Sequence, residues 1–283
     1  MDISKINYSV ELLRRGEELA LALNPAGYWL AFSGGKDSQA LLELVKLAGV
    51  KYVAYYNVTS NDPPDNIYFI RKYYPEVIFK HPKRNFYKLI EVKGLPTIYR
   101  RFCCERLKEN TGAGYVVITG VRREESYKRS KYETIHVFSR RKEHEGRKDY
   151  SIEGLMESNH ECIKGKDRVM IRPLLNWLES DVWEFLKMRE APTNPCYAKF
   201  NRVGCMFCPF NKTSDIEYYE KTYPKFKELF VSSIDTYIRK RNVSNPDYKA
   251  PLSSADDYYD WWKSKKKLTV YLAERRQLEM NFG

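Results

Sequence analysis

The chain has 283 residues, with 49 Lys plus Arg against 37 Asp plus Glu for a formal net charge of +12, and 43% of it is hydrophobic. That length suits one large α/β domain plus an appendage and allows a sizeable core, while the basic excess favours a polyanionic ligand such as nucleotide or nucleic acid. No segment has the length and apolarity of a signal peptide or a membrane span, so a cytoplasmic protein with no membrane partner is expected, and its six cysteines are read as ligands, redox groups or core residues rather than disulfides.

Ile6 to Leu23 carries apolar residues at helical spacing and is closed by Asn24-Pro25-Ala26-Gly27. Tyr28 to Phe32 reads as a buried strand and Gln39 to Leu47 as a helix. Between them lies Ser33-Gly34-Gly35-Lys36-Asp37-Ser38. A strand, a glycine turn and a helix N-terminus make an anion site: the glycines let the backbone turn tightly, and the first free N–H groups and positive helix end point at an oxyanion. Lys36 adds a full charge, and Ser33 and Ser38 add hydroxyls. The spacing is not Gly-x-x-x-x-Gly-Lys-Ser/Thr, so the ordinary phosphate loop is excluded, and a plain glycine turn is the competing reading. The stretch resembles the loop of the PP-loop pyrophosphatases, which hold ATP or an adenylylated substrate by its phosphates.

Tyr52 to Val58 is a second strand, followed by the turn-rich Thr59 to Pro64, a helix over Asp65 to Tyr74, a short strand Val77 to Phe79 and a helix over Asn85 to Val92. Phe102 to Lys108 reads as a helix and Gly114 to Gly120 as a strand and its exit. Alternating strands and helices predict a Rossmann-like parallel sheet, in which ligands sit at the carboxyl ends of the strands. Ser33 to Ser38, Thr59 and Gly120 all fall at such ends. Ten Lys or Arg residues lie between Arg122 and Lys148. Arg140 to Lys148 reads as a solvated loop, whereas Arg122, Arg123, Ser126 and Arg129 leave a strand end where phosphates belong, and arginine grips phosphate bidentately.

Val169 to Leu175 reads as the last strand, followed by a helix from Trp177 to Leu186 with Ser180 as its cap. Ala191 to Pro195 breaks the pattern, so the expected division is residues 1–190, a nucleotide-binding α/β domain, and 191–283, a Cys-x-x-Cys segment with a helical C-terminal region. The clearest helices there are Pro224 to Arg239 and Ala255 to Trp262.

Cys205-Met206-Phe207-Cys208-Pro209 is a Cys-x-x-Cys pair and Cys103-Cys104 an adjacent pair. Together they can supply four thiolates to one metal centre that ties the tail to the sheet domain, either zinc or a four-iron cluster. Adjacency favours iron and sulfide, because neighbouring residues reach two irons of a cluster more easily than one small ion; reduced core cysteines are the alternative. Cys162 and Cys196 could each be a spare ligand or a reactive thiol, but read first as ordinary free cysteines.

Several stretches, in one order from Tyr28 to Pro209, resemble the phosphoadenosine phosphosulfate (PAPS) reductase family of the adenine-nucleotide α-hydrolase-like superfamily: Ser33 to Ser38, Cys103-Cys104 with Lys108, Thr119 to Ser126 with Arg129, Arg172 to Trp177 into Asp181-Val182-Trp183, and Asn194 to Tyr197 through Arg202 to Pro209. The resemblance implies an adenine nucleotide, ATP or adenylylated sulfate, held by Ser33, Gly34, Gly35, Lys36, Asp37, Ser38, Thr59, Gly120, Arg122, Arg123, Ser126 and Arg129. In the cluster-bearing branch it implies a [4Fe-4S] cluster on Cys103, Cys104, Cys205 and Cys208. Two departures stand out: no cysteine follows Cys208, where sulfonucleotide reductases carry a nucleophile in a Cys-Gly motif, and Val58 to Pro64 replaces the usual Asp-Thr-Gly. Both features resemble the family's less characterised members and the sulfur-transfer subunits of nucleic-acid modification systems. That likeness implies a magnesium- and ATP-dependent adenylating enzyme with Lys36, Asp37 and Arg122 as its catalytic residues, Asp37 helping to hold magnesium. DNA or RNA would be its substrate and a sulfur- or electron-donating protein its partner. Sulfonucleotide reduction and a non-catalytic binding module with structural zinc are the competing functions.

Overall fold

The computed structural model describes residues 2–109, 111–138, 151–157, 168–245 and 251–282. Arg140 to Lys148 and Cys162 lie outside the described residues. The stripe predicted as one opening helix folds as two, α1 (Ile3–Arg15) and α2 (Glu17–Leu23). Gly16 separates them: its N–H closes α1 on Leu12 O at 3.1 Å, and a Cβ there would stand 2.4 Å from the Tyr28 hydroxyl.

The chain continues through β1 (Tyr28–Phe32), α3 (Lys36–Ala48), β2 (Tyr52–Asn57), α4 (Pro64–Tyr73), β3 (Ile78–Lys80), α5 (Phe86–Lys93) and α6 (Phe102–Cys104), which runs into a π-helical turn over Glu105–Glu109. Then come β4 (Val116–Ile118), α7 (Tyr127–Ser130), β5 (Ile135–Phe138), α8 (Ile152–Glu157), β6 (Arg168–Ile171) and α9 (Glu179–Met188). A 3-10 turn at Pro195–Ala198 precedes α10 (Thr213–Thr222), α11 (Pro224–Ser244), α12 (Ala255–Ser264) and α13 (Leu268–Phe282).

Two compact units divide these elements. One comprises Met1–Asn57, Pro64–Lys80 and Asn110–Val203, and the other Val58–Pro63, His81–Glu109 and Gly204–Gly283. In the first, the strands form one sheet in the order β3-β2-β1-β4-β6-β5, parallel throughout except for β5, which runs antiparallel to β6. The expected α/β parallel sheet is thus mainly parallel, and β5 is not among the predicted strands. It lies within the basic run from Arg122 to Lys148, whose charges mask it, and pairing of His136 with Met170 and Val137 with Val169 makes it a strand. Leu30, Leu41, Leu44, Ile118, Ile171 and Phe185 are fully buried between sheet and helices, each contributing about 1.5–3 kcal/mol. α9 is not capped by Ser180 as expected: Leu178 is its N-cap, and Asp181 reaches back to accept from Leu178 N at 2.7 Å.

In the second unit, Phe230 of α11 lies within 4.9–5.7 Å, ring centre to ring centre, of Phe86, Phe207, Tyr259 and Trp262. Asn61 holds the Cys-x-x-Cys loop as a strand partner would: its side chain donates to Phe207 O and accepts from Phe207 N, both at 3.1 Å, and its carbonyl accepts from Met206 N at 2.8 Å. Among the described residues no helix is long and apolar enough to cross a membrane.

Candidate functional site

β1 delivers the chain into the Ser33 to Ser38 turn, and α3 begins inside it at Lys36 with Gly35 as its N-cap. Gly34 has φ +76°, and a Cβ there would lie 2.3 Å from Asn66 Oδ1 and 2.9 Å from Ile70 Cδ1, so both backbone and space demand glycine. The Ser38 hydroxyl accepts from Ser33 N at 3.1 Å and donates to Gly35 O at 2.8 Å, so it shapes the turn from within. Two buried asparagines brace it from outside. Asn66 donates to Ser33 O at 3.2 Å, and Asn194 donates to Gly34 O at 2.8 Å and to Asn66 Oδ1 at 2.7 Å. With both carbonyls pinned, the following N–H groups are fixed toward the opposite side. Sequence reasoning missed both as site residues; Asn194 lies in one of the family-like stretches, whereas Asn66 has no local signature.

Charge gathers at the same turn. Asp37 lies between two cations, with Oδ1 accepting from Arg122 Nε at 2.6 Å and Oδ2 from Lys36 Nζ at 3.2 Å. Glu179 Oε1 stands 3.4 Å from Lys36 Nζ, and Glu124 Oε2 accepts from Arg122 Nη1 at 2.5 Å and from Glu179 N at 2.7 Å. Arg122 is buried; burial alone would lower its pKa, but the Asp37, Glu124 and Glu125 carboxylates outweigh it and hold the guanidinium charged. Gly120 belongs here by contact: a Cβ on it would lie 2.6 Å from Asp37 O and 3.2 Å from Ser38 N, so only glycine lets the exit of β4 pass the first turn of α3.

The remaining nucleotide-site candidates are engaged elsewhere. Arg123 donates to Asn176 Oδ1 at 2.5 Å and to Tyr132 O at 3.0 Å, Ser126 caps α7 by accepting from Arg129 N at 3.3 Å, and Arg129 pairs with Glu125. Thr59, expected at the nucleotide, belongs to the second unit, where its N–H donates to Asp62 Oδ2 at 2.7 Å and its hydroxyl lies 3.7 Å from Cys205 Sγ.

That unit also contains all four paired cysteines, each half-buried. The hydrogen bond between Cys103 and Cys104 pushes the first thiol up and the second down, and the charges of Cys104, Cys205 and Cys208 all raise Cys103. Arg101 bonds Cys104, and the Lys108 ammonium bonds Cys205, whose thiol burial pushes up. The Tyr87 hydroxyl, buried beside Asp62 and Cys205, has no hydrogen-bond partner. Among the described residues no group of three or more His, Cys, Asp or Glu is placed to hold a metal ion as it stands. Cys196 lies in the first unit, buried and pushed up to about 11 by burial and by Asp65.

Residues 27–211 match the family model of the phosphoadenosine phosphosulfate reductase domain. The chain belongs to this family. The PAPS-reductase domain is a nucleotide-binding PP-loop fold of adenine-nucleotide enzymes, and the matched span contains the Ser33 to Ser38 turn, Arg122 and all four paired cysteines. Among curated relatives, two uncharacterized proteins of Methanocaldococcus jannaschii are similar: MJ0066, 25% identical over 253 residues (84% of this chain, 46% of that protein), and MJ0973, 29% identical over 222 residues (74% and 47%). The chain thus spans about half the length of the curated relatives it matches. Solved structures with similarity include phosphoadenylyl-sulfate reductase from Candida auris in a phosphate complex, at TM-score 0.45 and 16% identity over 71% of this chain and 89% of that one. Another is the U34-tRNA thiolase NcsA from Methanococcus maripaludis with its [4Fe-4S] cluster, at TM-score 0.36 and 14% identity over 85% of this chain and 81% of that one.

Proposed function

We propose that this PAPS-reductase-family chain is a cytoplasmic PP-loop enzyme that binds ATP with magnesium, activates an oxygen of a nucleic acid or nucleotide by adenylation with release of pyrophosphate, and serves sulfur transfer to that target. The observation that carries the reading is the Lys36–Asp37–Arg122 constellation at the start of α3: two cations fixed by one carboxylate beside backbone N–H groups whose carbonyls are pinned behind them. Lys36, Arg122 and the loop amides would stabilise the charge developing on the departing pyrophosphate. Asp37, expected to help hold magnesium, has its two oxygens on Arg122 and Lys36, so it would hold those cations in place and magnesium would enter on the phosphates. Arg123, Ser126 and Arg129 would join the clamp only by leaving their present partners.

In the second unit, Cys103, Cys104, Cys205 and Cys208 would hold a [4Fe-4S] cluster that supplies sulfur or redox chemistry when bound. The donor set fits: four thiols share one electrostatic group, and the Lys108 ammonium, Thr59 hydroxyl and unpartnered Tyr87 hydroxyl gather at Cys205, donors suited to the extra sulfurs that iron-sulfur ligation brings and zinc does not.

Sulfonucleotide reduction would need Cys162 or Cys196 as an accessible thiolate; Cys162 lies outside the described residues, and burial pushes the Cys196 thiol up, which disfavours Cys196 in that role. Incubation of the anaerobically purified protein with ATP and candidate RNA or DNA tests the reading: pyrophosphate is released, and release that survives intact in Lys36→Ala overturns it.

A further inference from the structure

Lys36 offers an anion two donors, its backbone N–H and its ammonium, and both are taken by oxygens of other side chains. The N–H donates to Tyr197 Oη at 2.8 Å, and the ammonium, besides its bond to Asp37 Oδ2 at 3.2 Å, faces Glu179 Oε1 at 3.4 Å. A Cβ on Gly35 would stand 3.2 Å from Tyr197 Oη, so the phenol oxygen lies directly over the turn. The two capping groups are mechanically linked. Glu179 and Trp183 are one turn apart on α9, and the Trp183 ring packs edge-on against the Tyr197 ring at 5.0 Å. Asn194, which braces Gly34 O, also accepts from Cys196 N at 3.0 Å and so fixes the start of the turn that carries Tyr197.

We infer that Tyr197 on the N–H and Glu179 on the outer side of the ammonium occupy oxyanion seats of Lys36, with Asp37 remaining in place, and that a phosphoryl group of the incoming nucleotide binds by displacing Tyr197 and Glu179; the inference rests on the proposed reading of the turn as a phosphate site. Tyr197 is in this sense a positioning residue, which keeps the Lys36 amide bonded and aimed until phosphate arrives. The exchange is favourable chemically, because a charged phosphate oxygen is a stronger acceptor for an N–H than a phenol oxygen. It is favourable mechanically as well: the Glu179 side chain is 53% exposed and free to turn into water, whereas Lys36 is 7% exposed and stays.

Calorimetric titration of the full chain with inorganic pyrophosphate tests this. Tyr197→Phe removes the competing acceptor and keeps the ring, so it binds pyrophosphate roughly three- to tenfold more tightly than the wild type, the worth of one hydrogen bond no longer broken on binding. Glu179→Gln, a change at a half-exposed position, tightens binding in the same direction and carries the test if Tyr197→Phe folds poorly. Unchanged or weaker binding in the folded variants overturns the inference alone, provided the wild type binds pyrophosphate. Absence of binding in wild type and variants alike removes the phosphate-site reading together with it.

Discussion

Asn194 donates its side-chain amide to Gly34 O at 2.8 Å, joining the Ser33 to Ser38 turn to a segment 160 positions away in the chain. The same amide reaches Asn66 Oδ1 at 2.7 Å, and all three groups are shielded from water. Asn194→Ala therefore strands two buried acceptors. Stability in urea is expected to fall by about 2–4 kcal/mol, two unsatisfied acceptors being left in the interior. ATP affinity falls with it, because the peptide planes that aim the amides are released. A variant with wild-type stability and affinity would show that the brace is idle.

Gly120 and Gly49 separate packing from backbone strain. Gly49 closes α3 with φ +70° and has nothing within 4 Å of a would-be Cβ, so Gly49→Ala costs about 1 kcal/mol of left-handed strain and leaves nucleotide binding alone. In Gly120→Ala the new methyl meets Asp37 O at 2.6 Å and must push the first turn of α3. The expected cost is about 2–3 kcal/mol, and ATP binding weakens at the same time. Equal behaviour of the two variants in urea melts and ATP titrations would refute the distinction.

Much of this was legible in the sequence, and the division follows a physical line. The β1–turn–α3 unit is local: an apolar pentapeptide, two glycines and a helical stripe lie within twenty-one residues, so each piece announces itself. Arg122 and Gly120 could be placed because strand ends in a parallel sheet converge. What escaped depends on contacts between distant segments. Asn66 and Glu179 look like ordinary helix-start residues, and Asn194 and Tyr197, although in a family-like stretch, carry no sign of their role until the fold sets them against Ser33 to Lys36. β5 escaped because it lies inside the basic run from Arg122 to Lys148, and the Gly16 break because its cause is the Tyr28 hydroxyl rather than helix propensity.

Asp181 makes the sheet unit acid-sensitive. Burial would raise its pKa, but the Lys5 hydrogen bond at 2.5 Å and the Leu178 N–H hold it below its ordinary value of 3.8. A depressed carboxylate contributes stability that is complete above the unfolded value and is lost as pH falls below 3.8 toward the lower folded value. Urea midpoints should drop across that window in the wild type. Asp181→Asn should be less stable at neutral pH and flatter in acid; a parallel acid dependence in both proteins would remove this role.

The cysteine group is tested by composition. Protein purified without oxygen should be brown, with about four irons and matching sulfide per chain as a thiolate-held cluster requires. Cys103→Ser and Cys205→Ser should each lower iron sharply. A colourless wild type with one zinc per chain would replace the cluster by a structural ion.

The central claim is that Lys36 and its turn hold nucleotide phosphates. Its most direct test is calorimetric titration of ATP with magnesium into the wild type and into Lys36→Ala, with circular dichroism confirming that both are folded. Loss of one charge-assisted phosphate contact predicts an affinity at least about tenfold weaker in the variant. Equal affinity in the two folded proteins would contradict the account.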